Sequence, residues 1–202
     1  MLNRKLRPFI YGLCYYLGIL SLFYRINRKK QRILVFHHII PDEYMNNSFE
    51  QAIVCTSRSR FDWMMSIVNK RFEVTTELGR SGSVIITFDD GYRAALIADE
   101  VLAKRTNNAY FFMPISNVGS SMPLWIDRIM AWFAYVPEGE YMIANRKVRI
   151  GDSLSRQLTF SSLIDMLYEK YDKDSIIEML GVTYPYEALP IDPAYFDLRF
   201  KG

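Results

Sequence analysis

Val84-Ile85-Ile86-Thr87-Phe88-Asp89-Asp90-Gly91-Tyr92 sets five apolar or β-branched residues directly before two adjacent carboxylates and a glycine. A run of that length and composition reads as a strand buried on both faces. Alternation puts Ser83, Ile85, Thr87 and Asp89 on one face and Val84, Ile86 and Phe88 on the other. An ionised carboxylate at the mouth of a buried strand is costly without a partner, and two side by side repel. A cation or a shared proton is therefore expected there. Gly91 permits the sharp turn that aims both side chains into one opening. A divalent metal would satisfy such a pair, one carboxylate binding it and the other taking a proton from an activated water. A solvated Asp-Gly turn capping the next helix is the plain alternative.

The flanking segments alternate in the same way. Residues 33–39 (ILVFHHI) and 109–115 (AYFFMPI) read as strands, and residues 61–68, 93–104 and 124–135 as helices. This pattern predicts a parallel α/β sheet covered on both faces, with reactive groups at the C-terminal ends of its strands. Past residue 135 the pattern changes. Residues 140–150 predict a hairpin turning at Asn145, and residues 160–171 and 174–180 predict short helices, the second closed by Gly181. Residues 184–202, with Pro185, Pro190 and Pro193, read as a connecting loop.

Charge is unevenly spread. Of the 202 residues, 50% are hydrophobic and the net charge is +3, so one well-packed domain with a short appendage is expected. Residues 1–32 carry eight Lys or Arg and no acid, which leaves 17 basic and 22 acidic residues elsewhere. An acidic body argues against a nucleic-acid partner. The two cysteines cannot make a disulfide framework. Residues 9–24 (FIYGLCYYLGILSLFY) hold no charge; as one helix they would span about 24 Å, short of the ~30 Å hydrocarbon core. Cations on both flanks suit a helix embedded at an anionic membrane surface, with the face left open, and a short anchor or a core helix as rivals.

The string VIITFDDGY resembles the first signature of the polysaccharide deacetylases, the NodB homology domain of carbohydrate esterase family 4. ILVFHHIIP resembles that family's opening strand, with Phe36-His37 where a Tyr-His pair is usual. NAYFFMPISNVG resembles the strand that usually reads ATFF, and PLWIDR the helix start that follows it. The resemblance covers nearly the whole chain in the right order. It implies an incomplete distorted (β/α) barrel in residues 33–202, with a helical insertion at about 136–200, preceded by the membrane-associating arm 1–32. It further implies metal-dependent removal of acetyl groups from an N- or O-acetylated polysaccharide. Asp89 would be the general base, Asp90 a ligand to a divalent metal, zinc in the complete enzyme, and His37 and Tyr92 substrate-facing. At most one of His37 and His38 is expected to point into the site, since neighbours in a strand face opposite ways.

The sequence departs from the family in one chemical respect. The family's second signature supplies two histidines to the metal, and this chain has none after His38. The resemblance therefore implies an N-terminal portion of a longer enzyme, inactive as 202 residues, or a catalytically inactive carbohydrate-binding or membrane-associated relic. A phosphoryl-transfer site of the Asp-x-Asp type fits less well, because the acids here are adjacent.

Overall fold

The computed structural model of the chain describes residues 6–45, 49, 55–115 and 123–200. Two short helices come first, α1 (Leu6–Tyr16) and α2 (Ile19–Asn27). They replace the single helix expected over residues 9–24. The break falls at Gly18, whose φ of 71° is the left-handed conformation in which glycine ends helices. Arg32 ties this arm to the body, its guanidinium 5.9 Å from the Tyr24 ring and 4.6 Å from the Phe72 ring.

The expected strand over residues 33–39 divides at His37 into β1 (Arg32–Phe36) and β2 (His38–Ile40). β2 pairs in parallel with β3 (Cys55–Ser57). The next helix, α3 (Arg58–Arg71), starts directly after β3, where the Ser57 hydroxyl accepts a hydrogen bond from the Arg60 amide. β4 (Val84–Phe88) is buried at every position, as its composition predicts, and α4 (Ala95–Ala103) follows. β1 pairs in parallel along all of β4, from Arg32↔Val84 to Phe36↔Phe88. On the other side β5 (Tyr110–Phe111) pairs at two positions only, shorter than the strand expected over residues 109–115. The result is a mixed α/β body around a parallel sheet of order β1-β4-β5.

One face of that sheet packs on α3 and α4 through Phe36, Phe61, Met65, Ile86, Phe88 and Leu102. The edge-to-face rings of Phe36 and Phe61, 5.0 Å apart, sit at its centre. On the opposite face Ile85 and Thr87 are buried, but Ile33 and Val35 of β1 stay more than half exposed. The expectation of a sheet covered on both faces thus holds for β4 and not for β1, which lies at a sheet edge.

A second core gathers around α5 (Trp125–Tyr135). The hairpin of β6 (Gly139–Ile143) and β7 (Arg146–Ile150) turns through Ala144 and Asn145, both at positive φ, as a two-residue hairpin requires. α6 (Ser153–Lys170) begins seven residues before its expected start because Asp152 caps it, accepting from the Ser155 amide at 2.8 Å. α7 (Lys173–Thr183) runs through Gly181 instead of stopping there. It stops where Tyr184, just before Pro185, is forced extended (φ −154°, ψ 119°). The expected loop over residues 184–202 is also corrected. It holds a 3-10 turn (Tyr186–Ala188) and a helix, α8 (Pro193–Phe200). Asp192 caps α8 by accepting from the Ala194 amide at 2.7 Å, and Pro193 occupies the first helical position, where its missing N–H costs nothing.

Candidate active site

Three chain segments leave the C-terminal edge of the sheet side by side. They are His37 after β1, Asp89-Asp90-Gly91 after β4, and Phe112-Met113 after β5. Backbone hydrogen bonds carry the sheet one step further here, from the Asp89 amide to the Phe36 carbonyl (3.0 Å) and from the Phe112 amide to the Phe88 carbonyl (2.8 Å). The parallel register therefore delivers His37 beside the acidic pair. His37 Nδ1 lies 3.1 Å from Asp90 Oδ2, and both side chains are rather more than a third exposed.

The two carboxylates are differentiated by backbone geometry. Asp90 and Gly91 both take positive φ, 74° and 65°. For Asp90 this is a strained conformation of the kind found at functional turns. It swings Asp90 toward His37, while Asp89, still on the strand's pleat, makes no hydrogen bond or ion pair with its carboxylate among the described residues. Gly91 is required twice over: by its φ, and because a Cβ there would stand 3.1 Å from Met113 Cγ and 3.3 Å from Met113 Cα. Gly91→Ala is therefore expected to lower the free energy of unfolding by about 1–2 kcal/mol, the usual cost of a left-handed residue with a side chain. Urea denaturation measures this, and an unchanged midpoint would show the loop to be free to rearrange.

Beneath this opening lies a buried polar layer that sequence reasoning did not assemble. His38 is 1% exposed and faces inward, opposite to His37, as strand alternation predicts. Its Nε2 accepts a hydrogen bond from Arg199 Nη1, which leaves the ring proton on Nδ1. Arg199, wholly buried on α8, also donates to Asp127 Oδ1 on α5 at 3.1 Å. Burial first, then the Arg199 charge, holds the His38 pKa well below its usual value, so the ring is neutral. Burial pushes Asp127 up to about 6 against the opposing pull of Arg199.

Tyr92 belongs to this layer. It is 4% exposed, its ring 3.6 Å from the His38 ring centroid, and burial followed by the nearby Asp127 charge pushes its phenol pKa upward. Tyr92, expected to flank a substrate groove, has its aromatic ring buried beside His38. Asp127 and Arg199 carried little sequence signal. Each has an opposite charge close by in an otherwise apolar stretch (Asp127-Arg128 in LWIDRIM, Asp197 and Arg199 in YFDLRF), so local pattern does not single out the buried pair.

Among the described residues Asp90 and His37 are metal-capable donors in direct contact at the opening. Among the described residues no group of three or more His, Cys, Asp or Glu is arranged to hold a metal ion. A catalytic zinc needs three protein ligands, so the described residues do not make up a metal site.

No family model matches the chain. A search of curated proteins likewise finds no match. Among solved structures, a polysaccharide deacetylase from Bacillus cereus aligns at 21% identity and a TM-score of 0.37, over 45% of this chain and 31% of that protein. A de-N-acetylase from Aggregatibacter actinomycetemcomitans aligns at 18% identity and a TM-score of 0.30, over 69% of this chain and 51% of that protein. The chain thus spans about a third to a half of the length of these structures.

Proposed function

We propose that residues 33–202 form part of a (β/α) barrel that deacetylates an N- or O-acetylated polysaccharide, with Asp89 as general base. The observation that carries this reading is the division of labour between neighbouring carboxylates at the end of a buried strand. Asp90 is tied to His37, and Asp89 has no partner among the described residues and is only half-buried. A base must be free to take a proton, and a positioned carboxylate of this kind suits that role. The TFDDGY string and its flanking strands support the choice of reaction. Water attacks the acetyl carbonyl as Asp89 takes its proton. The bond from the acyl carbon to the sugar nitrogen or oxygen then breaks, and the proton passes to the leaving atom, giving acetate and a free amine or hydroxyl.

A divalent metal belongs to this proposal only as far as Asp90 and His37 reach, and no step is assigned to it. With two donors among the described residues where zinc uses three, these residues by themselves are expected to release little acetate. The test is acetate release from N- and O-acetylated oligosaccharides by the full-length gene product with added zinc. Absence of acetate from every substrate would favour the alternative, a catalytically inactive carbohydrate-binding relic of the same fold.

The proposal places the arm 1–32 at a membrane surface. Tyr11, Tyr15, Tyr16, Leu17, Phe23 and Ile26 are all exposed on α1, α2 and the turn between them, with Arg25, Arg28, Lys29 and Lys30 close by. No helix among the described residues is long and apolar enough to cross a membrane. An exposed apolar surface next to a basic cluster suits an anionic interface. The protein is expected to sediment with vesicles containing phosphatidylserine and to lose that binding when Phe23 and Tyr16 are both replaced by Ser; equal binding by the variant would remove the arm from this role.

A further inference from the structure

Two chain segments meet at the opening, residues 37–38 where β1 passes into β2 and residues 90–92 after β4, and they touch twice. At the surface His37 Nδ1 lies 3.1 Å from Asp90 Oδ2. Further along both segments the His38 and Tyr92 rings lie 3.6 Å apart between centroids, and both are buried. The outer contact joins two groups each more than a third exposed, so water screens it and it holds little by itself. The buried contact is the one able to keep the two segments in register.

That buried contact is fixed from outside the sheet. The Tyr92 hydroxyl donates to the Asp127 carboxylate on α5. Arg199 on α8 donates to Asp127 and to His38, and its guanidinium stands 5.9 Å over the Tyr92 ring. Four side chains thus close a circuit from His38 through Arg199, Asp127 and Tyr92 back to His38, and none is more than 4% exposed. Only the bond from Tyr92 to Asp127 reaches the acidic turn with a fixed direction. The turn Asp89-Asp90-Gly91 therefore runs between two held points. On one side the Asp89 amide donates to the Phe36 carbonyl at 3.0 Å, and on the other stands Tyr92, whose carbonyl accepts from the Ala95 amide at 2.8 Å. Between them Asp90 keeps its φ of 74°, a conformation that persists for a residue with a side chain only where the surroundings over-determine it.

We infer that Asp127 is a positioning residue for the strand-end carboxylates: through the Tyr92 hydroxyl it holds the strained Asp90-Gly91 turn, and with it the separate directions of Asp89 and Asp90. The inference rests on the deacetylase reading for what the carboxylates do, whereas the hold on the turn is a property of the fold. It gives the helical part of the chain a share in the site without any contact with substrate.

The test is Tyr92→Phe, which removes the hydroxyl and leaves the ring against His38. In the full chain, amide hydrogen exchange at Asp89 is expected to quicken about tenfold, the worth of one hydrogen bond, while exchange at Ile86, buried in β4, stays as it was. In the full-length gene product kcat for acetate release is expected to fall about tenfold at unchanged KM. The double variant Arg199→Met with Asp127→Leu removes the acceptor and keeps the site packed, and it is expected to show the same loss of kcat. Adding Tyr92→Phe to that pair is expected to lower kcat no further, because the link is already broken. Unchanged exchange at Asp89 would overturn the proposal, as would equal quickening at Asp89 and Ile86, which marks general loosening. An unchanged kcat in Tyr92→Phe, or losses that multiply in the triple variant, would overturn it too. Quickened exchange at Asp89 alone, with no acetate released by the wild type from any substrate, would instead sink the deacetylase reading and leave the hold on the turn standing.

Discussion

Arg199→Ala is expected to lower the free energy of unfolding by about 3–5 kcal/mol, the largest effect of any single substitution on the fold. The guanidinium is wholly buried and bridges His38 on β2 and Asp127 on α5, so it joins the sheet-bearing part of the molecule to the helical part. Removing one partner of a buried ion pair leaves the other charge without compensation, and that residual charge sets the cost. The effect depends on pH in a definite direction. The folded pKa of Asp127, about 6, lies above its unfolded value of about 3.9. Its contribution to stability is therefore fully present below about pH 4 and lost as the pH rises through about 6. Without Arg199 the carboxyl is harder still to ionise, so the variant's deficit should be larger at pH 8 than at pH 5. His38, held neutral in the fold, contributes in the opposite sense, with stability present above about pH 6.5 and lost on acidification. Loss of the Arg199 cation also eases protonation of His38, which again spares the variant at pH 5. The double variant Arg199→Met with Asp127→Leu should recover most of the loss, because a well-packed apolar pair commonly replaces a buried ion pair without penalty. Equal deficits at pH 5 and pH 8, measured by urea denaturation, would show that packing of the long side chain outweighs its charge.

Asp89→Asn is expected to reduce acetate release by the full-length gene product about 10²–10⁴-fold, the usual contribution of a general base. The amide keeps the shape of the carboxyl but cannot take the proton. Stability should barely change, because Asp89 is only half-buried and its carboxylate has no partner among the described residues. Removing its charge also relieves repulsion with Asp90. A stability loss with intact activity would point to a structural turn, which is the plain reading of an Asp-Gly sequence. The pairing of large activity loss with unchanged stability separates the two readings.

Several features were readable from local pattern. The central strand, the acidic pair at its end, the hairpin turn at Asn145 and the opposite facing of His37 and His38 all follow from alternation or turn chemistry. Boundaries set by caps were readable in principle. Asp152, Asp172 and the Asp192-Pro193 pair mark helix starts, but the helix 193–200 was obscured by the prolines around it. Gly181 misled in the other direction: a glycine can sit inside a helix when the turns on either side are packed, as they are around Leu180.

By itself, then, the sequence determined a parallel strand ending in two carboxylates, with His37 as its nearest histidine in the same order of elements. The reason is that strand period and turn preference are properties of a few consecutive residues. Only the tertiary structure decided that Asp90 pairs with His37 while Asp89 has no partner among the described residues. It also decided that Tyr92 lies beneath the site and that Asp127 and Arg199, 72 residues apart, meet there. Those contacts depend on how a helical unit closes over a sheet. No local pattern encodes the meeting of two charges that lie so far apart in the chain.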